Sequence, residues 1–131
     1  MGTWCPNCRD EAVFLKEYLQ SHPNSNFAVI ALAFERSADS AVANAQIKVY
    51  KDKMKIPYQI LDAGTNNKDA ASKTLPMLNK IMAFPTTIFL DRANNIRKIH
   101  TGFDGPATSK YEAYKKDFGT FMDELLAEKA R

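Results

Sequence analysis

The sequence predicts an α/β protein in which helices alternate with buried strands. Residues 27–34 (FAVIALAF) form an uninterrupted apolar run of strand length, which is typical of a strand covered on both faces. Residues 5–21 carry apolar side chains at spacings of three and four, which indicates an amphipathic helix before that strand. Three more strand-like runs and three more helical stretches follow, and this order favours a layered α/β architecture.

The first predicted helix has one apolar face and one charged face. Its apolar face consists of four residues at helical spacing: Cys8, Ala12, Leu15 and Leu19. Much of its solvated side is expected to be formed by charged residues: Asp10, Glu11, Lys16 and Glu17. The segment 22–26 (HPNSN) ends the helix, because proline and asparagine favour turns.

The middle of the chain predicts two more helices and a short strand. Either Ser37 or Asp39 is expected to cap a second helix that runs to about residue 54. Residues 58–61 follow as a short strand. Residues 68–81 predict a third helix, which Pro76 is expected to kink or divide.

The last part of the chain predicts a hairpin followed by a helix. Residues 86–90 and 96–101 are two strand-like runs, and the linker 91–95 (DRANN) suits the turn between them. The last helix spans about residues 109–128. Its stripe of mostly aromatic residues is expected to belong to the core: Tyr111, Tyr114, Phe118, Phe121 and Leu125.

Length and composition bound the class of protein. A length of 131 residues fits a single domain, residues 1–131, with a genuine hydrophobic core. An apolar content of 45% and a charged content of 25% argue against a disordered chain. The net charge of +3 is small and the Lys and Arg residues are scattered, so nucleic acid is not expected as a partner. No apolar run approaches the ~20 residues of a membrane-spanning helix.

The two cysteines, Cys5 and Cys8, lie three residues apart where the first helix begins. A bridge between them closes a very short loop and constrains the unfolded chain little, so the pair is better explained by redox chemistry than by stabilisation. Cys5 lies where the helix dipole and unpaired backbone N–H groups lower a thiol pKa. Pro6 suits the first helical turn because it has no N–H to lose. Cys8 faces inward, so Cys5 is expected to be exposed and nucleophilic and Cys8 protected and resolving.

The alternatives for the cysteine pair are a zinc site and two inert thiols. Zinc requires four ligands, and only His22 and His100 remain as candidates. His22 would lie about 20 Å along the helix from Cys8, which is too far. A haem attachment site needs histidine directly after the second cysteine, where this chain has Arg9. No metal and no cofactor is therefore expected.

Two segments resemble a known family. Residues 2–8 (GTWCPNC) resemble the active site of the TlpA-like thiol–disulfide reductases, a branch of the thioredoxin superfamily. Residues 84–87 (FPTT) resemble the cis-proline loop of that superfamily, which packs against the cysteine pair and offers backbone hydrogen bonds to substrate. Residues 98–126 are similar to Bacteroidetes-type members. The resemblance covers nearly the whole chain and implies a thioredoxin-like fold, with a central mixed sheet flanked by helices.

The resemblance also implies an activity and a set of site residues. It implies reduction of protein disulfides by dithiol–disulfide exchange through Cys5 and Cys8. Glu35 follows the buried strand at its C-terminal end, where ligand sites gather in α/β sheets, and it matches an active-site glutamate of the family. A partly buried Glu35 would have a raised pKa and could take the proton of Cys8. The alternatives are a solvated charge and a partner for Arg36. Substrate contacts are expected from four residues: Trp4, Pro6, Phe84 and Pro85.

Partners and compartment follow from the resemblance alone. The expected partners are a protein substrate with a disulfide or dithiol and a redox protein, membrane-borne in the family setting, that donates electrons. The expected compartment is the periplasm or another envelope face, and no stretch of this sequence has the pattern of a signal peptide. Two rival functions are a non-catalytic binding module of the same fold and peroxide reduction. The threonine and arginine that usually activate a peroxidatic cysteine are not found here.

The resemblance finally implies a strand that this sequence lacks. In the thioredoxin fold a central strand runs into the Trp-Cys motif and lies between the strands predicted at 27–34 and 86–90. Only three residues precede Trp4, whereas a strand takes about 5–6. We therefore expect an N-terminally truncated domain that is poorly stable, rearranges, or self-associates through the unfilled sheet. Restoring about 25–40 upstream residues is expected to raise its unfolding midpoint sharply.

Overall fold

The computed structural model describes residues 1–78, 81 and 83–129 and has the predicted alternation of helices and strands. The elements are α1 (Pro6–Ser21), β1 (Ile30–Glu35), α2 (Ser40–Met54), β2 (Gln59–Thr65), α3 (Lys68–Thr74), a 3₁₀ turn (Pro76–Leu78), β3 (Thr86–Leu90), β4 (Ile96–Thr101) and α4 (Tyr111–Ala127). The predicted α/β class is confirmed. No helix within the described ranges is long and apolar enough to cross a membrane.

The strands form two separate pairs. β1 and β2 are parallel, from Ile30 opposite Gln59 to Glu35 opposite Thr65. β3 and β4 are antiparallel, with Thr86 opposite Thr101. Within the described part of the chain no backbone ladder joins β1 to β3. In place of the single mixed sheet that was expected, the described residues therefore form one parallel and one antiparallel pair.

Helix ends follow local chemistry. Asp39 caps α2, since its Oδ1 accepts a hydrogen bond of 2.9 Å from the N–H of Ala41, whereas Ser37 accepts from the N–H of Asp39 itself. Lys55 ends α2 in the left-handed conformation, with φ 53°. α3 ends earlier than the predicted residue 81, because Leu75 precedes Pro76 and is driven out of the helical region. Residues 79 and 80 of that prediction lie outside the described residues.

Two predicted strands have different limits in the structure. The apolar run 27–34 becomes a strand only from Ile30, where pairing with Gln59 begins. Ile30 is 60% exposed, so the expectation of burial on both faces is wrong for the N-terminal end of β1. β2 extends beyond the predicted 58–61 to Thr65, because the end of β1 supplies backbone partners for its polar residues.

Apolar side chains pack in three clusters around the strands. The first, between α2 and the β1–β2 pair, contains Ala12, Ala33, Ile47, Tyr50, Ile56, Tyr58 and Ile60. The second joins α1, β3 and α4 and contains Phe14, Phe89, Phe103, Tyr114, Phe118, Met122 and Leu125. The third contains Phe34, Ala71 and Ile81. The predicted stripe of α4 is therefore core, with Phe14 of α1 packed edge-on at 5.0 Å from the ring of Phe118.

Candidate active site

Cys5 and Cys8 are joined by a disulfide at the N-terminus of α1, with 5.2 Å between their Cα atoms. Cys5 is the N-cap of the helix, and the N–H of Cys8 points at its sulfur from 3.2 Å. The side chains are 6% and 2% exposed. The expectation that Cys5 is exposed is therefore wrong, although its sulfur occupies the predicted position at the positive end of the helix.

Two aromatic residues, Trp4 and Phe84, adjoin Cys5, one in sequence and one through its backbone carbonyl. The rings of Trp4 and Phe84 meet edge to face at 5.6 Å, and the Trp4 indole Nε1 donates a 2.8 Å hydrogen bond to the carbonyl oxygen of Phe34. The Cys5 sulfur lies 3.8 Å from the carbonyl oxygen of Phe84. Because a disulfide sulfur carries no proton, this is a close contact and not a hydrogen bond in the present state. Trp4 and Phe84 are both residues that the sequence assigns to substrate contacts.

The loop before β3 is held in place from both ends. The Phe84–Pro85 peptide bond is cis, and Pro85 is fully buried. The carbonyl oxygen of Pro85 accepts a 2.7 Å bond from the N–H of Gly102, and the Thr86 hydroxyl donates a 2.7 Å bond to the carbonyl of Ala83. The fold thus brings the two sequence motifs together although 79 residues separate Cys5 from Phe84.

Glu35, at the end of β1, is 1% exposed. Its carboxylate accepts two hydrogen bonds from Thr3, at 3.1 Å from the backbone N–H and 2.8 Å from the hydroxyl. Arg36 lies over the ring of Trp4, 5.9 Å from its centroid. The alternative that Glu35 is a solvated charge is therefore wrong. Its predicted role as acceptor of the Cys8 proton stays a prediction, and its visible contact is with the loop that precedes Cys5.

Glu11 is a buried carboxyl group, although the sequence predicts it on the solvent-exposed side of the first helix. The side chain is 9% exposed and accepts from the Thr87 hydroxyl, whose oxygen lies 3.3 and 3.4 Å from the two carboxylate oxygens. Burial raises the pKa of Glu11 to about 7, although the Met1 ammonium and the Thr87 hydroxyl act in the opposite direction. Glu11 and Cys8 both line one cavity. A carboxyl group with this pKa can exchange protons at neutral pH.

The Met1 amine completes this buried charged cluster. It donates a 2.9 Å hydrogen bond to the carbonyl oxygen of Leu32. Burial lowers its pKa to about 6, and the negative charges of Glu11 and Glu35 partly oppose that effect. Two buried carboxylates, those of Glu11 and Glu35, therefore act on the Met1 amine.

Comparisons with known proteins identify the family. The Redoxin family model matches residues 1–115. The chain belongs to the Redoxin family. It is also 31% identical over 102 residues to the thioredoxin-like protein YneN of Bacillus subtilis (strain 168), a match that covers 77% of this chain and 52% of that protein. The chain thus spans about half the length of this curated relative. No solved structure matches it significantly.

The Redoxin match includes both cysteines and the loop at Phe84 and Pro85. The family match and the thioredoxin-like relative place the chain in the thioredoxin superfamily, and the paired Cys5 and Cys8 are the groups that thiol–disulfide exchange needs. The mixed α/β content fits the thioredoxin-like fold. In the described ranges no group of three or more His, Cys, Asp or Glu residues is placed to hold a metal ion.

The signal for Glu11 was present in the sequence. Glu11 lies three residues after Cys8 and four before Leu15, so it falls on the same face of α1 as the apolar residues. The prediction grouped it with the charged residues because carboxylates are seldom buried. In α1 the helical spacing prevails over the charge, since Thr87 and the Met1 amine provide partners inside the fold.

Proposed function

We propose that this redoxin reduces disulfides of protein substrates by dithiol–disulfide exchange through Cys5 and Cys8. The observation that carries the proposal is the position of the Cys5 sulfur, at the N-cap of α1 and 3.8 Å from the Phe84 carbonyl of the proline loop. In the reduced chain the N–H of Cys8, 3.2 Å away, would donate to a Cys5 thiolate. The helix dipole also stabilises that anion, so Cys5 is the nucleophile of the pair.

The proposed reaction transfers two electrons from the dithiol to the substrate. The Cys5 thiolate attacks one sulfur of the substrate disulfide, a mixed disulfide forms, and the other substrate sulfur leaves as a thiolate. Cys8 then loses its proton to a carboxylate and attacks the Cys5 sulfur. This step forms the Cys5–Cys8 disulfide and releases the second substrate thiolate, which takes up a proton. A dithiol protein must reduce the pair again before the next cycle.

Substrate is proposed to approach across Trp4, Pro6 and the loop at Phe84 and Pro85. Trp4 uses its N–H on the Phe34 carbonyl, so it offers its ring face and not a donor to an incoming peptide. The Phe84 carbonyl beside Cys5 is an acceptor for a substrate N–H. Because Cys5 is only 6% exposed, the residues around its sulfur must move when substrate binds.

We propose that Glu11 accepts the proton of Cys8 and that Glu35 positions the loop before Cys5. Glu11 lies one helical turn from Cys8 on the same face, and its raised pKa of about 7 suits a proton acceptor at neutral pH. The Glu35 carboxylate already accepts two bonds from Thr3. It therefore holds the loop that leads into Trp4 and Cys5.

Replacing Glu35 with glutamine is expected to slow turnover by at least about tenfold, because the neutral amide makes weaker hydrogen bonds to Thr3 than the charged carboxylate does. The pH–rate profile is expected to keep its shape if Glu35 acts by position. Thr3→Val, which removes only the hydroxyl donor, should then show a smaller loss with the same profile. A pH–rate profile that changes in Glu35→Gln and not in Thr3→Val would identify Glu35 as the acceptor of the Cys8 proton.

The proposed function is tested by insulin reduction with dithiothreitol as the electron source. Precipitation of the insulin B chain should accelerate in proportion to the concentration of this chain. A rate equal to that of dithiothreitol alone would favour a non-catalytic binding module. Faster loss of hydrogen peroxide than of insulin disulfides, followed by stopped flow, would assign the chain to peroxide reduction instead.

The wider setting is part of the same proposal. We place this chain among TlpA-like reductases of Bacteroidetes type, in the periplasm or on another face of the envelope, with a membrane-borne dithiol protein as electron donor. The support is the motif at residues 2–8 and the loop at residues 84–87. Fractionation of the producing cell would test the compartment, and a chain found only in the cytoplasm would contradict it.

A further inference from the structure

Two tyrosine hydroxyls are buried without a hydrogen-bond partner among the residues that the structure describes. They belong to Tyr18, near the C-terminal end of α1, and to Tyr50 on α2. A buried hydroxyl normally has a partner, because its lost hydration is otherwise not compensated. Phenylalanine would fill nearly the same space at either position without this cost. Each unpaired hydroxyl therefore calls for an explanation, and the two lie in different surroundings.

Tyr50 packs behind the cysteine pair. Its side chain is 7% exposed and belongs to one apolar cluster with Ala12 of α1 and Ala33 of β1. Ala12 lies about one helical turn after Cys8. Ala33 and Glu35 are alternate residues of β1, so their side chains leave the strand on the same face. The ring of Tyr50 therefore packs on the face of β1 from which the Glu35 carboxyl group projects.

Charged groups act on the Tyr50 hydroxyl. Burial raises its pKa, and the guanidinium of Arg9 opposes this effect. Three carboxylates reinforce it, here in decreasing order: Glu35, Glu11 and Asp10. Glu35 is also the most deeply buried of the three, where charges are screened least. The hydroxyl is thus a donor without an acceptor, in the field of a buried carboxylate.

The Glu35 carboxylate is tied to the segment that carries Cys5. It accepts the N–H and the hydroxyl of Thr3, and the N–H of Cys5 donates to the carbonyl of Gly2 at 3.1 Å. A carboxylate has about four acceptor sites, so two bonds from Thr3 leave room for a further donor. The disulfide holds Cys5 against Cys8. Its reduction removes that restraint from the segment and from the carboxylate bound to it.

We infer that Tyr50 is a positioning residue that favours the dithiol form, because its hydroxyl, unpaired in the disulfide form, donates to the Glu35 carboxylate once the disulfide is reduced. The inference rests on the proposed exchange at Cys5 and Cys8. Glutathione can serve as reductant: two glutathione thiols become glutathione disulfide, and their two electrons and two protons convert the Cys5–Cys8 bond into two thiols. A hydrogen bond made in only one of the two forms shifts the equilibrium toward that form.

The test is equilibration of the chain with glutathione buffers at neutral pH, with the dithiol fraction measured by alkylation and mass spectrometry. Tyr50→Phe should shift the equilibrium toward the disulfide by at least about fivefold, because it removes a cost from the disulfide form and a bond from the dithiol form. Tyr18→Phe is the matched control. It removes the other unpaired hydroxyl, on a residue about 15 Å along α1 from Cys8, and should change the equilibrium by less than about twofold.

The partner of the hydroxyl is tested in the Glu35→Gln background. There Tyr50→Phe should shift the equilibrium by less than about twofold, because the charged acceptor is gone. Urea unfolding of the disulfide form provides a second measurement. Tyr50→Phe should unfold at the same urea concentration as the unchanged chain or at a higher one, since no hydrogen bond is lost in that form.

Every other result overturns the inference. A glutathione equilibrium that Tyr50→Phe leaves unchanged or shifts toward the dithiol would show that the hydroxyl does not favour that form. An equal shift in Tyr18→Phe would show that the loss of any buried hydroxyl suffices. A full shift in the Glu35→Gln background would exclude Glu35 as the partner, and easier unfolding of the Tyr50→Phe disulfide form would show that the hydroxyl is already paired there. The proposed function fails separately, because a chain that does not accelerate insulin reduction still equilibrates with glutathione.

Discussion

Cys8→Ser is expected to leave this redoxin joined to its substrates in mixed disulfides, because no second thiol remains to release them. Cys5→Ser should trap few substrates, since the remaining Cys8 lies inside the helix and not at its N-cap. Both variants should reduce insulin no faster than dithiothreitol alone. The measurement is a non-reducing gel with mass spectrometry after acid quenching, using disulfide-bonded insulin as substrate.

The predicted asymmetry rests on helix position and not on exposure. Cys5 and Cys8 differ by only a few per cent in exposure, but Cys5 is the N-cap and receives the N–H of Cys8 at 3.2 Å. A negative sulfur is stabilised at that position and not within the helix. The double variant, which should trap nothing, is the control. Equal trapping by the two single variants would refute the assignment of Cys5 as nucleophile.

Sequence periodicity predicted the scaffold of this site well. The spacing of Cys8, Ala12 and Leu15 located α1, and the motif Trp4–Cys8 located its N-terminus where the structure has it. The strand-like run at residues 86–90 matches β3 in full. These features are local, because helix caps and short-range periodicity depend on neighbours in sequence.

The errors concern properties that depend on tertiary contacts. The Cys5 sulfur lies against the carbonyl of Phe84, which is distant in sequence. The low exposure of Cys5 could therefore not be derived from its position in the helix. Glu11 is buried against Thr87, which is distant from it in sequence. The start of β1 depends on its pairing with Gln59. The expected strand before Trp4 stays a prediction.

The largest stability effect is expected from Glu11→Gln. The folded pKa of about 7 lies above the ordinary value of 4.5, so the folded chain resists ionising a group that ionises readily when unfolded. Below pH 4.5 both states are protonated and Glu11 imposes no cost. As the pH rises from 4.5 to 7 the cost grows, and by pH 8 it amounts to about 3 kcal/mol. The glutamine side chain of the variant is neutral at every pH and does not carry this cost.

Glu11→Gln should therefore be about 3 kcal/mol more stable than the unchanged chain at pH 8 and nearly equal to it at pH 4. The glutamine carbonyl can still accept from Thr87, so the hydrogen bond need not be lost. The Met1 amine, with its pKa lowered to about 6, is neutral at pH 8 and does not need the carboxylate there. Urea unfolding at the two pH values measures the difference.

Activity should move in the opposite direction from stability. If Glu11 accepts the proton of Cys8, Glu11→Gln should slow insulin reduction by about a hundredfold and remove the rise of its rate around pH 7. Glu17→Gln is the matched control, because Glu17 is exposed on the same helix, and it should change stability by less than about 0.5 kcal/mol. A Glu11→Gln chain that is less stable at pH 8 would refute the cost of burying this carboxylate. An unchanged pH–rate profile would remove Glu11 from the proton transfer, whatever its effect on stability.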